Sequence, residues 1–266
     1  MAYEKLTYAL QDGVAIITMN DPSTMNAAGV DMGRELGHAF ETAAKESRCV
    51  ILTGTGRGFC SGANLASTQM NLSTQPQDAR DFDAGAALDT VYNPLVTQMR
   101  ELPIPFVTAV NGAAAGIGCS FALLGDMIIA SQSAYFLQAF RRIGLVPDGG
   151  STYLLARAVG RTRAMEMMLM GEKIPAAKAL DWGLVNRVTP DADLMSSALS
   201  LAQDIASGPT RTLAMIRKAA WASLDSDWSS QLHTERVLQR DAGRSKDFQE
   251  GVAAFLQKRP AKFTGA

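Results

Sequence analysis

The sequence contains few of the residues that build disulfide frameworks and zinc sites. Its 266 residues include three cysteines and two histidines, and no two cysteines have the C-x-x-C spacing. Neither a disulfide framework nor a metal site is therefore expected. The sequence also has no excess of either charge, since 25 basic and 26 acidic side chains give a net charge of −1. Because dedicated nucleic-acid-binding proteins are usually strongly basic, no nucleic-acid partner is expected.

The N-terminus lacks the apolar core of a signal peptide, so a cytoplasmic location is expected. One largely apolar segment, Pro103 to Ala130, is long enough to cross a bilayer. It contains Pro105, Asn111 and Asp126 together with several glycines. This composition favours a buried strand–helix–strand over a membrane helix, and no membrane partner is expected.

The composition is that of a globular protein, with 47% hydrophobic and 19% charged residues. Two β-like runs around Asp12-Gly13 predict a hairpin. Helix-like and strand-like patterns then alternate, and the chain beyond Pro190 has a helical pattern throughout. Alternating strands and helices predict an α/β fold with a helical C-terminal module.

Two segments, 50–65 and 106–121, share a design in which a buried strand runs into small residues and then a helix. Glycine allows a ligand to approach the backbone closely. The first turn of a helix also presents N–H groups without an internal acceptor. Two such groups directed at one point form an oxyanion hole. Tight packing alone also explains small residues, so both interpretations stay open at this point.

Catalytic side chains are sparse. The sequence contains no G-x-S-x-G motif, and both histidines lie in helical patterns, so a Ser-His-Asp triad is not expected. The most informative carboxylate is Asp148, which stands between Val146-Pro147 and Gly149-Gly150. An aspartate just before a helix is typical of an N-cap. In an apolar pocket it is instead suited to act as a general base with a raised pKa.

Several motifs occur in a characteristic order. They are NDP at 20–22 with MNA at 25–27, GFCSGANL at 58–65, AVNGAAAGIGC at 109–119, GLVPDGG at 144–150, and EGVAAFL at 250–256 with KRP at 258–260. Together they resemble the enoyl-CoA hydratase/isomerase (crotonase) superfamily over nearly the whole chain. The resemblance implies an α/β spiral of repeated ββα units, related to the ClpP fold, over residues 1–195. It also implies a helical module at 196–266 that builds homotrimers or dimers of trimers.

The resemblance further implies an acyl-CoA thioester as substrate, with no cofactor beyond its CoA moiety. The thioester oxygen would rest between the N–H groups of Ala63 and Ile117, which lie in the two segments singled out above. The substrate-binding residues implied by position are Ala63, Asn64, Leu65, Gly116, Ile117, Phe140, Lys262 and Phe263. A basic residue that many relatives use near CoA is Thr24 here. Lys262 and Phe263, from the same or a neighbouring subunit, are therefore the candidates for the phosphate and adenine ends.

Departures from the superfamily pattern predict the reaction. Hydratases of this superfamily carry two glutamates where this chain has Ser120 and Phe140, so efficient hydration is not expected. Asp148 resembles in position the single carboxylate of the Δ3,Δ2-enoyl-CoA isomerases and of the phenylacetate-pathway isomerases. One carboxylate and an oxyanion hole suffice to move a double bond, and we therefore predict an enoyl-CoA isomerase.

Other interpretations remain open on the sequence alone. Asp148 also resembles the nucleophilic aspartate of 4-chlorobenzoyl-CoA dehalogenase. Hydratase or lyase activity would need residues that are not identified here. A non-catalytic acyl-CoA binder or scaffold, or an RNA-associated relative, belongs to a different functional class. The pair Arg141-Arg142 either recognises an acidic acyl tail or faces solvent.

Overall fold

The computed structural model of the chain describes residues 2–64 and 83–266. The strands in these ranges are β1 (Leu6–Gln11), β2 (Val14–Met19), β3 (Cys49–Gly54), β4 (Gly58–Cys60), β5 (Phe106–Val110), β6 (Ala113–Ala115), β7 (Met127–Ser131), β8 (Tyr135–Leu137), β9 (Ile174–Pro175) and β10 (Arg187–Thr189). The α-helices are α1 (Val30–Glu46), α2 (Asn93–Arg100), α3 (Ile117–Leu123), α4 (Ser151–Ala158), α5 (Gly160–Met170), α6 (Ala176–Asp181), α7 (Leu194–Ser207), α8 (Thr210–Ser223), α9 (Trp228–Ala242) and α10 (Lys246–Gln257). A π-helical turn, Leu88–Tyr92, leads directly into α2.

The strands form two sheets. The larger has the order β1-β2-β3-β5-β7-β10, and the smaller has the order β4-β6-β8-β9. The predicted hairpin joins β1 and β2, and its turn residues Asp12 and Gly13 both have positive φ, at 50° and 78°. Positive φ at both central positions is the geometry that suits a two-residue hairpin loop. From β2 onward, the strands of the larger sheet pair in parallel, with Val50 opposite Phe106 and Val107 opposite Met127.

The chain repeats one unit three times. A strand of the larger sheet is followed by a short strand of the smaller sheet and then a helix, as in β3-β4-α2, β5-β6-α3 and β7-β8-α4. The segments that leave β4, β6 and β8 therefore occupy equivalent positions in three successive turns of a spiral. Ala63, Ile117 and Asp148 lie one in each of these segments, so the repeat gathers residues that are far apart in sequence.

Helices cover both faces of the larger sheet. On one face, α7 packs Leu194, Ala198, Ala202 and Ala206 against the strands. Small side chains at four-residue spacing lie along one stripe of a helix and allow it to approach the sheet closely. On the other face, α1 buries its apolar stripe, including Phe40, whose ring meets Phe106 edge-on at a centroid distance of 5.2 Å. Burial on both faces explains why β3 and β5 contain almost only apolar residues.

The apolar segment from Pro103 to Ala130 forms β5, β6, α3 and the start of β7, which confirms the strand–helix–strand interpretation. Among the helices that the structure describes, none is long and apolar enough to cross a membrane. All three cysteines are buried. Burial raises the pKa of Cys49 and Cys119 to about 12 and that of Cys60 to about 11.

Candidate active site

Two glycines bring the predicted oxyanion segments into backbone contact. Gly62 and Gly116 both have positive φ, at 111° and 53°. A Cβ built on Gly116 would lie 3.6 Å from the Cα of Gly62, and one built on Gly62 would lie 3.2 Å from the carbonyl oxygen of Ala115. Both positions favour glycine because of their positive φ, and at Gly62 a Cβ would also come tightly against the Ala115 carbonyl. The peptides that follow these glycines, at Ala63 and Ile117, consequently lie side by side.

The N–H groups of Ala63 and Ile117 have no hydrogen-bond acceptor in residues 2–64 and 83–266. Ala63 forms a parallel bridge with Ala28, in which Ala28 donates to Gly62 at 2.7 Å and accepts from Asn64 at 3.2 Å. Because successive peptides point to opposite sides of a strand, the N–H of Ala63 points away from Ala28. Ile117 is the first residue of α3, so its N–H has no acceptor within the helix. Both groups are therefore available to a ligand oxygen.

Tyr92 forms a hydrogen bond to the strand-like segment that pairs with Ala63. Its hydroxyl donates to the carbonyl of Ala28 at 2.7 Å, the same carbonyl that accepts the N–H of Asn64. Tyr92 ends the π-helical turn, a rare conformation that is frequent at functional sites. Burial raises the pKa of Tyr92 to about 12, and the charges of Cys60 and Asp148 add to the rise. The phenol thus stays protonated at neutral pH and lies within electrostatic range of the Asp148 carboxylate.

Asp148 is half-buried in the segment between β8 and α4. It is not the N-cap of α4, since Gly150 takes that position and no side chain caps the helix. The Oδ1 atom of Asp148 is buried and has no hydrogen-bond partner among the described residues. Burial raises the pKa of this carboxyl from 3.8 to about 6. A carboxylate with a pKa just below neutrality and an unpaired oxygen is suited to take up and return a proton.

The Asp148 segment packs on the first turn of α3. A Cβ built on Gly149, which has a φ of 58°, would lie 2.9 Å from Cγ1 of Ile117 and 3.1 Å from Cβ of Ser120. The structure therefore brings the predicted base and the predicted oxyanion donor of Ile117 together.

The two positions that carry glutamates in hydratases hold groups of a different kind. Ser120 is fully buried, and its hydroxyl bonds to the Ser151 hydroxyl at 2.7 Å and to the Asp148 carbonyl at 3.1 Å. Phe140 is buried, and its Cζ atom lies 3.8 Å from a Cβ built on Gly116. These positions thus supply a hydroxyl engaged with the backbone and an apolar wall, and neither side chain is an acid.

The described structure does not place three other predicted binding residues at the Ala63–Ile117 site. Leu65 lies outside the described residues. Lys262 and Phe263 lie at the other end of α1 from Ala63, because the Phe263 carbonyl accepts from Arg48 at 3.3 Å, just beyond the end of that helix. Seventeen helical residues span roughly 25 Å. The structure does not bring Lys262 or Phe263 to the Ala63–Ile117 site of their own chain, and a role for them at CoA remains a prediction that needs a neighbouring copy.

Arg141 and Arg142 are exposed and bond to the end of α5. Arg141 donates to the carbonyls of Leu169 and Met170, and Arg142 donates twice to the carbonyl of Gly171, at 3.0 and 2.6 Å. Cations at a helix C-terminus satisfy its free carbonyls. The two arginines therefore cap α5, and both guanidinium groups are engaged by its carbonyls.

Sequence reasoning missed two residues that shape the site. Ser151 follows Asp148 by three residues, a spacing that allows its hydroxyl to bond back to the Asp148 carbonyl at 2.7 Å. That spacing was a usable signal. Tyr92 reaches Ala28 across 64 positions of sequence, and no local pattern indicates such a contact.

Comparisons with known proteins identify the family of the chain. Residues 9–266 match the family model described as enoyl-CoA hydratase/isomerase. A Rhodobacter capsulatus protein named "Probable enoyl-CoA hydratase" is 43% identical, with all of both chains covered. The 1,2-epoxyphenylacetyl-CoA isomerase of Escherichia coli K12 is 41% identical, over 96% of this chain and 97% of that protein. A crystal structure of an enoyl-CoA hydratase from Polaromonas sp. JS666 is 32% identical, with a TM-score of 0.87 over 97% of this chain and 99% of that one. The chain therefore belongs to the enoyl-CoA hydratase/isomerase family and has the crotonase fold, as its motifs predict.

Proposed function

We propose that this protein is an enoyl-CoA isomerase that moves a carbon–carbon double bond with one carboxylate. The observation that carries the proposal is the environment of Asp148, whose buried Oδ1 lacks a hydrogen-bond partner among the described residues and whose pKa is raised to about 6. The positions of the two hydratase glutamates hold Ser120 and Phe140. Of the residues that the structure describes, this combination leaves Asp148 as the acid–base group beside the oxyanion donors.

The reaction follows from these groups. The thioester oxygen accepts hydrogen bonds from the N–H groups of Ala63 and Ile117. Ionised Asp148 removes a proton from C2 of a 3-enoyl-CoA, and the two donors stabilise the negative charge that develops on the oxygen of the dienolate. Protonated Asp148 then returns the proton at C4, which leaves the conjugated 2-enoyl-CoA and regenerates the carboxylate. Each oxyanion donor contributes about 3 kcal/mol in comparable sites.

The acyl group is expected to be uncharged. The site presents apolar walls from Ile117 and Phe140, and the nearby arginines cap α5. An anionic acyl tail would have to bury its charge without a partner here, which is unfavourable. Neutral aliphatic or cyclic acyl chains therefore fit the described part of the site best.

Isotope incorporation tests the proposal. The protein is incubated with a 3-enoyl-CoA in heavy water, and the product and its deuterium content at C2 and C4 are followed by mass spectrometry. We expect the conjugated isomer from the wild type, and loss of its formation in Asp148→Asn, which keeps the shape and removes the charge. Asp204→Asn, which changes an exposed carboxylate on α7, should retain full turnover.

The same assay covers the hydratase alternative, which the name of the 43% identical relative favours. With a 2-enoyl-CoA as substrate, a hydratase forms the hydroxyacyl-CoA. Rapid formation of that product would contradict the proposal. Tight binding of acyl-CoA without any turnover would instead indicate a non-catalytic binder.

A further inference from the structure

The main-chain carbonyl of Asp148 is held by an unusual number of donors. It accepts the Ser151 N–H at 3.0 Å, the Ser151 hydroxyl at 2.7 Å and the Ser120 hydroxyl at 3.1 Å. The two hydroxyls also lie 2.7 Å apart. Each has a single proton, so one hydroxyl donates to the carbonyl while the other donates either to the carbonyl or to its neighbour. Both serines are fully buried, which removes competition from water. This network ties the start of α4 to the middle of α3 through a single backbone oxygen.

The Asp148 carboxylate is held differently. Its buried Oδ1 receives no hydrogen bond from the described residues, so this oxygen contributes nothing to fixing the side chain. The two residues after it, Gly149 and Gly150, lack side chains that could brace the carboxylate, and both adopt positive φ, at 58° and 82°. The direction of the Asp148 side chain therefore depends on how firmly its own main chain is held.

We propose that Ser120 and Ser151 are positioning residues, whose hydroxyls clamp the Asp148 carbonyl and thereby aim the Asp148 carboxylate at the substrate. This inference rests on the proposed function for its catalytic meaning. It assigns a purpose to Ser120, which stands where hydratases carry an acid. At this position hydratases have a glutamate that transfers protons, whereas Ser120 orients Asp148.

Hydrogen bonds to the main-chain carbonyl of Asp148 hold the residue without changing the basicity of its carboxylate. Hydrogen bonds donated to a carboxylate lower its pKa, and they would make Asp148 a weaker base. A clamp on the main chain leaves the burial effect intact. Of the elements packed around Asp148, α3 presents Ser120, α4 presents Ser151 and the π-helical turn presents the neutral Tyr92 phenol. Burial is the cause of the raised Asp148 pKa, so loosening the clamp should admit water and lower that pKa.

The test is an infrared titration of the protonated Asp148 carboxyl band, assigned by its absence in Asp148→Asn. We expect a midpoint near pH 6 in the wild type. In Ser120→Ala and in Ser151→Ala, we expect the midpoint to fall by about one pH unit or more toward the ordinary value. The two serines act in one network, so Ser120→Ala with Ser151→Ala should shift the midpoint by less than the sum of the single changes.

The matched control is Thr108→Val. Thr108 is fully buried, and its hydroxyl donates to the carbonyl of Ala122 in α3 at 2.8 Å, so the variant loses a comparable bond to the same helix without touching Asp148. It should keep the wild-type midpoint. In the isomerase assay the serine variants should lose turnover by roughly 10- to 100-fold, with little change in KM.

An unchanged midpoint in both serine variants, or an equal shift in Thr108→Val, would overturn the proposal. The titration needs no turnover, so it separates this inference from the function it rests on. If the serine variants shift the midpoint while the wild type isomerises no enoyl-CoA, the clamp stands and the isomerase proposal fails.

Discussion

Replacing Asp148 with asparagine is expected to stabilise the folded protein at neutral pH while it removes the proposed catalytic base. Burial raises the pKa of this carboxyl from 3.8 to about 6. A pKa difference of about two corresponds to about 3 kcal/mol at 1.36 kcal/mol for each pH unit. Because the side chain is only half-buried, solvent screening reduces this figure, and we expect about 1.5 kcal/mol.

The pH window follows from the order in which the two states lose the proton. As the pH rises, the unfolded chain ionises near pH 4, whereas the folded protein keeps the Asp148 proton until about pH 6. The unfolded state therefore binds fewer protons between these values, and the contribution of Asp148 to the free energy of unfolding falls across the window. Asparagine has no proton to lose, so the stability difference, variant minus wild type, should grow between pH 4 and pH 7.

Urea unfolding at several pH values and one protein concentration measures this difference. Asp227→Asn is the control of opposite sign, because Asp227 accepts hydrogen bonds from Ser229 and Ser230 at the start of α9, and these hold its pKa well below the ordinary value. That variant should be less stable than the wild type at neutral pH. A stability difference for Asp148→Asn that stays constant from pH 4 to pH 7 would refute the reasoning.

Two further predictions concern the oxyanion backbone and the packing of α8. Gly116→Ala places a Cβ 3.6 Å from the Cα of Gly62, on a backbone with φ 53° and ψ −129° that side chains rarely adopt. This variant should lower isomerase turnover by about 100-fold. The control Gly160→Ala, at a φ of 78° with open space around it, should lower only stability. Equal turnover in the two variants would contradict the proposed role of the Ile117 N–H. Arg217→Met removes a buried guanidinium that pairs with Asp126 at 2.7 Å and donates to the Met99 carbonyl at 2.7 Å. Urea unfolding should show that the free energy of unfolding falls by about 3–5 kcal/mol, because Asp126 is left without its counter-charge. Adding Asp126→Asn should recover part of this loss. A loss below 1 kcal/mol would contradict this account.

Local patterns were sufficient for the longer elements. The Asp12-Gly13 turn and the apolar stripe of α1 are encoded within a few residues, and the predicted hairpin agrees with the structure. The three-residue strands β4 and β6 were not predicted, since each is embedded in glycines and alanines that have low β-propensity. Pairing between neighbouring turns of the spiral, with Gly58 opposite Ala113, makes them strands.

In the candidate site too, some features could be predicted from the sequence and others only from the structure. Its motifs identified Ala63, Ile117 and Asp148, and the spiral places these residues in equivalent segments of successive turns. The N-cap interpretation of Asp148 depended on where α4 begins, and the three-dimensional structure shows that Gly150 takes the N-cap position. The Ser120 and Tyr92 hydrogen bonds join residues 28 and 64 positions apart, a separation at which no local pattern indicates a contact.

The burial of the cysteines also makes the protein a convenient host for a single reporter group. Cys49, Cys60 and Cys119 are the only thiols in the sequence, and all are buried with pKa values raised to about 11 or 12. At pH 7, about one in ten thousand or fewer of each would be thiolate, the form that reacts with maleimides. A cysteine introduced on the exposed face of the Ile143–Val146 segment would therefore be labelled selectively in the native protein. A fluorophore there would report directly on the motion of the segment that carries Asp148.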